Sequence, residues 1–199
     1  MKIVLLVEGG TEKAFINHLR TFINRRLPPD QSPKLKAVCF NGEIERGAKL
    51  ERAVRGQFAN GADYVIGLTD VYPKFNSAAE AKALLTSEAR DDRFRAHAAQ
   101  YDFEAWLLPF WKTIQKRSKT NAQPFAANPE TVNGTKPPSK RLRELYAKGG
   151  GYYSKTREVN EILSVKDNDL AVAAAACKEL RLFLNTILEL CGGQLIPEP

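Results

Sequence analysis

The sequence predicts an α/β fold, a central and mostly parallel sheet of about four strands flanked by helices, with a basic helical part at its C-terminal end. Three observations carry this expectation. Short β-branched and Leu-rich runs alternate with amphipathic segments, as they do where each strand is followed by a crossover helix. The first run, Lys2 to Val7, stops at Glu8-Gly9-Gly10 and is followed by Phe15, Leu19, Phe22 and Ile23 at helical spacing, which reads as strand, tight turn, helix. A later run, Tyr64 to Thr69, ends in the same manner on an acid, Asp70.

The remaining elements follow in order. Lys34 to Phe40 reads as a second strand, and Leu50 to Phe58 as a helix with Leu50, Val54 and Phe58 on one face. After the Tyr72-Pro73 turn, Ala78 to Ala89 has helical character, and Phe94 to Tyr101 supplies a fourth strand. Glu104 to Ile114 places Trp106, Leu107, Phe110, Trp111 and Ile114 in a buried helical stripe despite Pro109. Lys119 to Pro138 is rich in Asn, Pro, Thr and Lys without periodicity, so a long loop is expected, of the kind that is often functional. Ser139 to Tyr146 is a short basic helix, broken by Gly149-Gly150-Gly151. A C-terminal helix spans Leu170 to Leu190 and stops at Gly192-Gly193. The apolar tail Leu195-Ile196 is free to cover a core edge or to reach another subunit.

A chain of 199 residues, 43% of them hydrophobic, can bury a substantial core and fits a single domain, with an α/β core over 1–111 and a basic loop and helical extension over 112–199. The formal charge of +7 points to an anionic partner, because clustered Lys and Arg neutralise phosphates and release counterions. Cys39, Cys177 and Cys191 are odd in number and lack CxxC spacing, so reduced thiols in a cytoplasmic protein are expected. Glu8 interrupts the N-terminal apolar run, which argues against a secretion signal. No apolar stretch nears the ~20 residues a bilayer span needs, so no membrane role is expected.

In open α/β sheets, ligands gather beyond the carboxyl ends of the strands. Glu8, Asp70 and the pair Asp102 and Glu104 all fall at such expected ends. Clustered carboxylates repel unless a cation compensates, and hard oxygen donors suit Mg²⁺ or Mn²⁺. With His18 and His97 as the whole histidine complement and no paired Cys, a zinc site is disfavoured. Gly9 and Gly10 allow close backbone approach at a helix start, but no Gly-Lys-Ser/Thr follows, so the loop is not a P-loop. Glu12, four residues after Glu8, is also placed to stabilise a helix start through the dipole.

Val7-Glu8-Gly9-Gly10-Thr11-Glu12 resembles the opening motif of Toprim domains, the fold shared by topoisomerases, bacterial primases, recombination-mediator proteins and OLD-type nucleases. In detail it is similar to the OLD-type branch and to small stand-alone Toprim-like families encoded near bacterial ATPases. The resemblance extends from residue 1 to about Lys155. It implies Glu8 as metal ligand or general base, Asp70 as metal ligand, and Glu12, Asp102 and Glu104 as supporting ligands. Lys155, in Gly151-Tyr152-Tyr153-Ser154-Lys155, resembles the family's late lysine, whose role would be to stabilise charge developing on the phosphate; the alternative is an exposed surface lysine. The family's Asp-x-Asp is here Asp70-Val71-Tyr72, so one expected ligand is replaced by Tyr72.

Two function classes follow from the resemblance. One is Mg²⁺- or Mn²⁺-dependent cleavage of DNA or RNA, with water as nucleophile and with an ATPase as separate partner, since the chain carries no Walker motif; anti-phage defence is the implied setting. The other is a non-catalytic subunit that holds nucleic acid or docks on the ATPase. A small-molecule phosphohydrolase is disfavoured because no compact pocket signature accompanies the acids. For either class the segment Lys112 to Arg157 is a candidate phosphate-binding surface, with eleven basic residues against Glu130 and Glu144. Within it Lys136, Lys140, Arg141 and Arg143 would contact nucleic acid, and Tyr152 and Tyr153, with Tyr146, would stack on unpaired bases. The alternative reading of this segment is a solvated basic face whose tyrosines pack on the core.

Overall fold

In the computed structural model of the protein, which describes residues 1–131 and 136–199, the apolar runs form four strands. They are β1 (Lys2–Val7), β2 (Lys34–Cys39), β3 (Tyr64–Asp70) and β4 (Phe94–Ala99), in the order β2-β1-β3-β4 with every pair parallel. The crossovers are α1 (Gly10–Asn24), α2 (Ala48–Ala59) and α3 (Ala78–Ala89). Alternate residues of β1 serve opposite layers. Ile3, Leu5 and Val7 pack with Phe15, Leu19 and Ile23 of α1, while Val4 and Leu6 meet Leu50 and Val54 of α2 and Leu85 of α3. The sheet is therefore covered on both faces, as parallel sheets are.

The C-terminal part extends the layer that contains α1. It comprises a 3-10 segment Phe103–Phe110, then α4 (Trp111–Ser118), α5 (Pro138–Lys148), α6 (Lys155–Leu163), α7 (Leu170–Ala176) and α8 (Lys178–Leu190). Phe15, Phe103, Trp106 and Phe183 form an aromatic cluster with ring centroids 5.1–6.4 Å apart, joining α1 to this part. His97 of β4 is buried against Phe183 and shares a hydrogen bond with Thr186 Oγ1 at 3.0 Å. Burial, with Lys82 and Arg95 nearby, pushes it down to about 3, so it is a neutral core histidine.

Several expected boundaries change. The Glu104 to Ile114 stripe is a 3-10 segment followed by a helix, because Pro109 offers no N–H to an α-helical ladder and its ring crowds the preceding turn. The fourth strand ends at Ala99 rather than Tyr101, whose φ of 69° turns the chain. The expected single helix from Leu170 to Leu190 is two helices broken at Cys177 (φ −122°, ψ 105°), without Gly or Pro. The break lets α7 pack on Phe103–Phe110 while α8 turns onto β4. Helix α6 has no counterpart among the expected elements. The expected loop Lys119 to Pro138 is partly anchored: Phe125 packs on Trp111 and Glu130 accepts the Glu179 N–H at 2.9 Å. Its residues 132–135 lie outside the described residues. In the tail, Ile196 is buried and exchanges two hydrogen bonds with Asn185, so it covers a core edge of its own chain. Among the described residues no helix is long and apolar enough to cross a membrane, and the three cysteines are unpaired.

Candidate active site

Chain direction out of the sheet reverses between β1 and β3, since β2 lies to one side of β1 while β3 and β4 lie to the other. Loops diverge there and leave a crevice at the carboxyl edge. Glu8 follows β1 at this point, and the register Val7 to Leu68 sets it level with Thr69. Its Oε1 accepts a hydrogen bond from the Thr69 hydroxyl and a 3.1 Å bond from the Asp70 N–H. Asp70, the last residue of β3, accepts the Phe103 N–H on Oδ1 at 2.9 Å. Asp102, in the loop after β4, accepts the Ser139 N–H from the first turn of α5 on Oδ2 at 3.1 Å. Glu104 is wholly buried, and Lys155 Nζ from the start of α6 stands 3.1 Å from its Oε1 and 3.3 Å from its Oε2. Glu12 turns back to accept the Gly9 N–H on Oε2 at 3.1 Å, half of a capping box in which Gly9 has no side chain to reciprocate.

The carboxylates so gathered sense one another. Burial raises Asp70 well above the usual carboxylate range, and Glu12, Glu8, Asp102 and Glu104 all add to the rise. Burial raises Glu104 to about 7, assisted by Asp102 and opposed by Lys155. Glu12 is raised by burial and by Glu8, and Asp102 is raised by burial against the pull of Ser139 and Lys155. Burial works to lower Lys155, but Glu104, Asp70 and Asp102 outweigh it and hold the ammonium charged. The five acids drawn from residues 8 to 104 thus share one electrostatic neighbourhood, with Lys155 as its counter-charge.

Oxygen donors with excess negative charge suit a hard divalent cation. Asp102 Oδ1, which is buried and has no hydrogen-bond partner, is a further vacant acceptor. In chemistry, then, the donor set fits Mg²⁺ or Mn²⁺. In geometry, among the described residues, no three Asp, Glu, His or Cys side chains close on a common point. Tyr72, at the position where the motif leads one to expect a second Asp, is half-buried, with Lys140 Nζ 3.5 Å from its hydroxyl.

The basic segment divides. Lys140 and Arg143 are exposed, whereas Lys136 pairs with Glu144 at 2.5 Å and Arg141 donates to the Lys136 carbonyl at 3.0 Å. Arg117 and Arg157 converge on the buried Glu158. Tyr152 is 76% exposed, but Tyr153 is 2% exposed and packs edge-on against the buried Tyr146. The expected stacking role of Tyr153 and Tyr146 is corrected accordingly: a buried ring presents no face to a base. Thr69, Phe103 and Ser139, which donate to Glu8, Asp70 and Asp102, were not expected at the site. Two of the three donate through backbone N–H groups, which carry no residue-type signature. Thr69 could have been inferred from its place beside Asp70.

The fold is shared with a solved structure of low sequence identity. The C-terminal region of the Burkholderia pseudomallei OLD protein superposes with a TM-score of 0.54 at 16% identity, over 95% of this chain and 98% of that one. The C-terminal region of the Xanthomonas campestris pv. campestris OLD protein gives 0.44 at 14% identity, over 92% and 95%. No curated protein matches the chain in sequence. The family described as a domain of unknown function (DUF4276) matches residues 7–188, from the residue before Glu8 to the last turns of α8 and so through every carboxylate at the sheet edge. The chain belongs to the DUF4276 family.

Proposed function

We propose that this protein is a metal-dependent nuclease of the Toprim type, hydrolysing phosphodiester bonds in DNA or RNA. The observation that carries the reading is the junction of Glu8 with Asp70 at the reversal point of the sheet, with Asp102, Glu104 and Lys155 gathered around it. Mg²⁺ or Mn²⁺ held by Glu8 and Asp70, with Glu12, Asp102 and Glu104 adding charge, would supply Lewis-acid polarisation of the phosphoryl group. The chain's own groups do the rest. Glu8, oriented by Thr69 and the Asp70 N–H, is the general base toward water. Asp70 is held in place by the Phe103 N–H, and Asp102 by the Ser139 N–H. Lys155, kept charged by its acidic neighbours, offsets charge developing on the phosphate.

The test is cleavage of supercoiled plasmid and of single-stranded RNA by purified protein with Mg²⁺, Mn²⁺ or a chelator. Cutting that needs the cation and is lost in Glu8→Ala and Asp70→Ala supports the reading; undiminished cutting by either variant overturns it.

A second reading rests on Lys155, which already pairs with Glu104, and on Tyr72 in place of an acid. Here the chain is a non-catalytic subunit that holds nucleic acid and docks on a separately encoded ATPase, in the cytoplasm and in a defence setting. Co-expression with a neighbouring ATPase separates the two: stable co-purification together with metal-independent binding and no cleavage favours this reading.

A further inference from the structure

Positive charge without a carboxylate partner also stands outside the Lys112 to Arg157 segment, on the outer side of α1. A cleft of about 560 Å³ runs between the outer side of α1, the edge strand β2 and the start of α6. Lys13 and Arg20 line it from α1; Lys36 of β2 borders it, but its register with Val4 turns its side chain to the opposite face of the sheet. Lys13, Asn17 and Arg20 follow the i, i+4, i+7 spacing that places them on one helix face. Among the described residues neither Lys13 nor Arg20 has a carboxylate partner, and no acidic residue lines the cleft. Arg20 is held in place by neutral acceptors, Asn17 Oδ1 at 2.9 Å and the Leu35 carbonyl at 3.2 Å. The contrast with Lys136, Arg117 and Arg157, each bound to a glutamate, is direct.

Position gives the cleft its meaning. One end is Gly10, two residues from Glu8, where α1 meets Thr156 of α6 so closely that a Cβ on Gly10 would lie 3.3 Å from the Thr156 hydroxyl. A polyanion approaching the carboxylates is repelled by them and must be held by cations beside the site. Ala14 and Ala37 give part of the lining an uncharged surface suited to sugar rings.

We infer that the α1/β2 cleft, through Lys13 and Arg20, binds the sugar-phosphate backbone of a nucleic acid strand and leads it to the acidic cluster. This deepens the nuclease reading and rests on it for the direction of the strand, but the binding itself is separable from catalysis.

The experiment measures binding of the full chain to labelled single-stranded DNA and RNA of the same base order, with chelator present so that no cleavage intrudes, across a salt series. For K13A/R20A the expected result is a loss of affinity of about fivefold or more and a salt slope shallower by about 1.4, from ~0.7 per lost phosphate contact on a single strand. K13A, which keeps the Arg20 bonds to Asn17 and Leu35, should show about half of that slope change. It guards against a folding defect. K140A/R143A/K148A, which removes the rival surface, should change affinity less than threefold. Wild-type affinity in the cleft variants, a loss carried instead by the rival variant, salt-insensitive binding, or no binding by the wild type would each overturn the inference. Cleft-dependent binding in a protein that never cleaves would leave the inference standing and defeat the nuclease reading. Preference between the two probes identifies the strand type.

Discussion

Glu8 and Asp70 are joined directly: Oε1 of Glu8 accepts the Asp70 backbone N–H at 3.1 Å, across the place where strand order reverses. One side chain at the end of β1 is thus fixed by the end of β3, and the site exists only when those strands are paired.

Glu8→Gln keeps an acceptor for Thr69 and Asp70 but removes the base and the charge. Metal-dependent cleavage should fall by about 10²–10⁴-fold with the melting temperature little changed. Glu8→Ala should lose cleavage and also about 1–3 kcal/mol of stability, by leaving the Asp70 N–H and Thr69 hydroxyl short of a partner. Rate assays and urea melts on both variants read the difference.

Stability at the site should fall as pH rises. Glu104, Asp70, Asp102 and Glu12 all have folded values above their unfolded ones. Their contribution is therefore complete below about pH 4, near the unfolded carboxylate values, and is lost as pH climbs through the folded values, about 7 for Glu104. Asp70→Asn, which retains an acceptor for Phe103, should be more stable than wild type at pH 8 by on the order of 1–2 kcal/mol, with the gain vanishing near pH 4. Mn²⁺ should stabilise the wild type at pH 8 and stabilise the variant less. Thermal melts at both pH values, with and without Mn²⁺, decide it.

Glu158 is buried beneath Arg117, whose Nε and Nη2 donate at 2.5 and 3.1 Å, and it also accepts the Tyr146 hydroxyl at 2.7 Å. These bonds tie α4 and α5 to α6. Arg117→Met should cost about 1–3 kcal/mol, because the buried carboxylate loses its two-point partner while keeping Arg157 and the Tyr146 hydroxyl. Arg117→Lys should recover only part, since an ammonium cannot reproduce the two-point fork. Denaturant midpoints at pH 7 measure both.

Gly149 closes α5 against the end of α4 so tightly that a Cβ would stand 1.7 Å from the Ser118 carbonyl oxygen. The obstacle is backbone, which cannot turn aside. Gly149→Ala should therefore destabilise by more than about 2 kcal/mol, whereas Gly56→Ala on α2, where nothing lies within 4 Å, should be neutral or slightly stabilising. Paired melts of the two variants test the comparison.

Much of the α/β half was legible because its signals are local. Lys2 to Val7 and Tyr64 to Thr69 are dense apolar runs closed by Glu8-Gly9-Gly10 and Asp70, and these mark strand ends whatever surrounds them. The C-terminal half was read less well. Leu170 to Leu190 is an unbroken helix former by composition, and it breaks at Cys177 because its two halves meet different surfaces. Helix α6 carries little local signal: Ser154 makes no side-chain cap bond at its start, and its apolar face is only Val159, Ile162 and Leu163.

By itself the sequence determined the strands, the acids at their ends and an excess of positive charge, since apolar runs, turn residues and charge counts are properties of neighbours in the chain. Tertiary structure alone decided that Glu8 bonds to Asp70, that Lys155 returns from α6 to Glu104, that Tyr153 is core, and that Lys13 and Arg20 line a cleft beside the site. Those are matters of strand order, register and helix packing. They join residues up to 51 and 62 positions apart, which no local pattern of apolar and polar residues encodes.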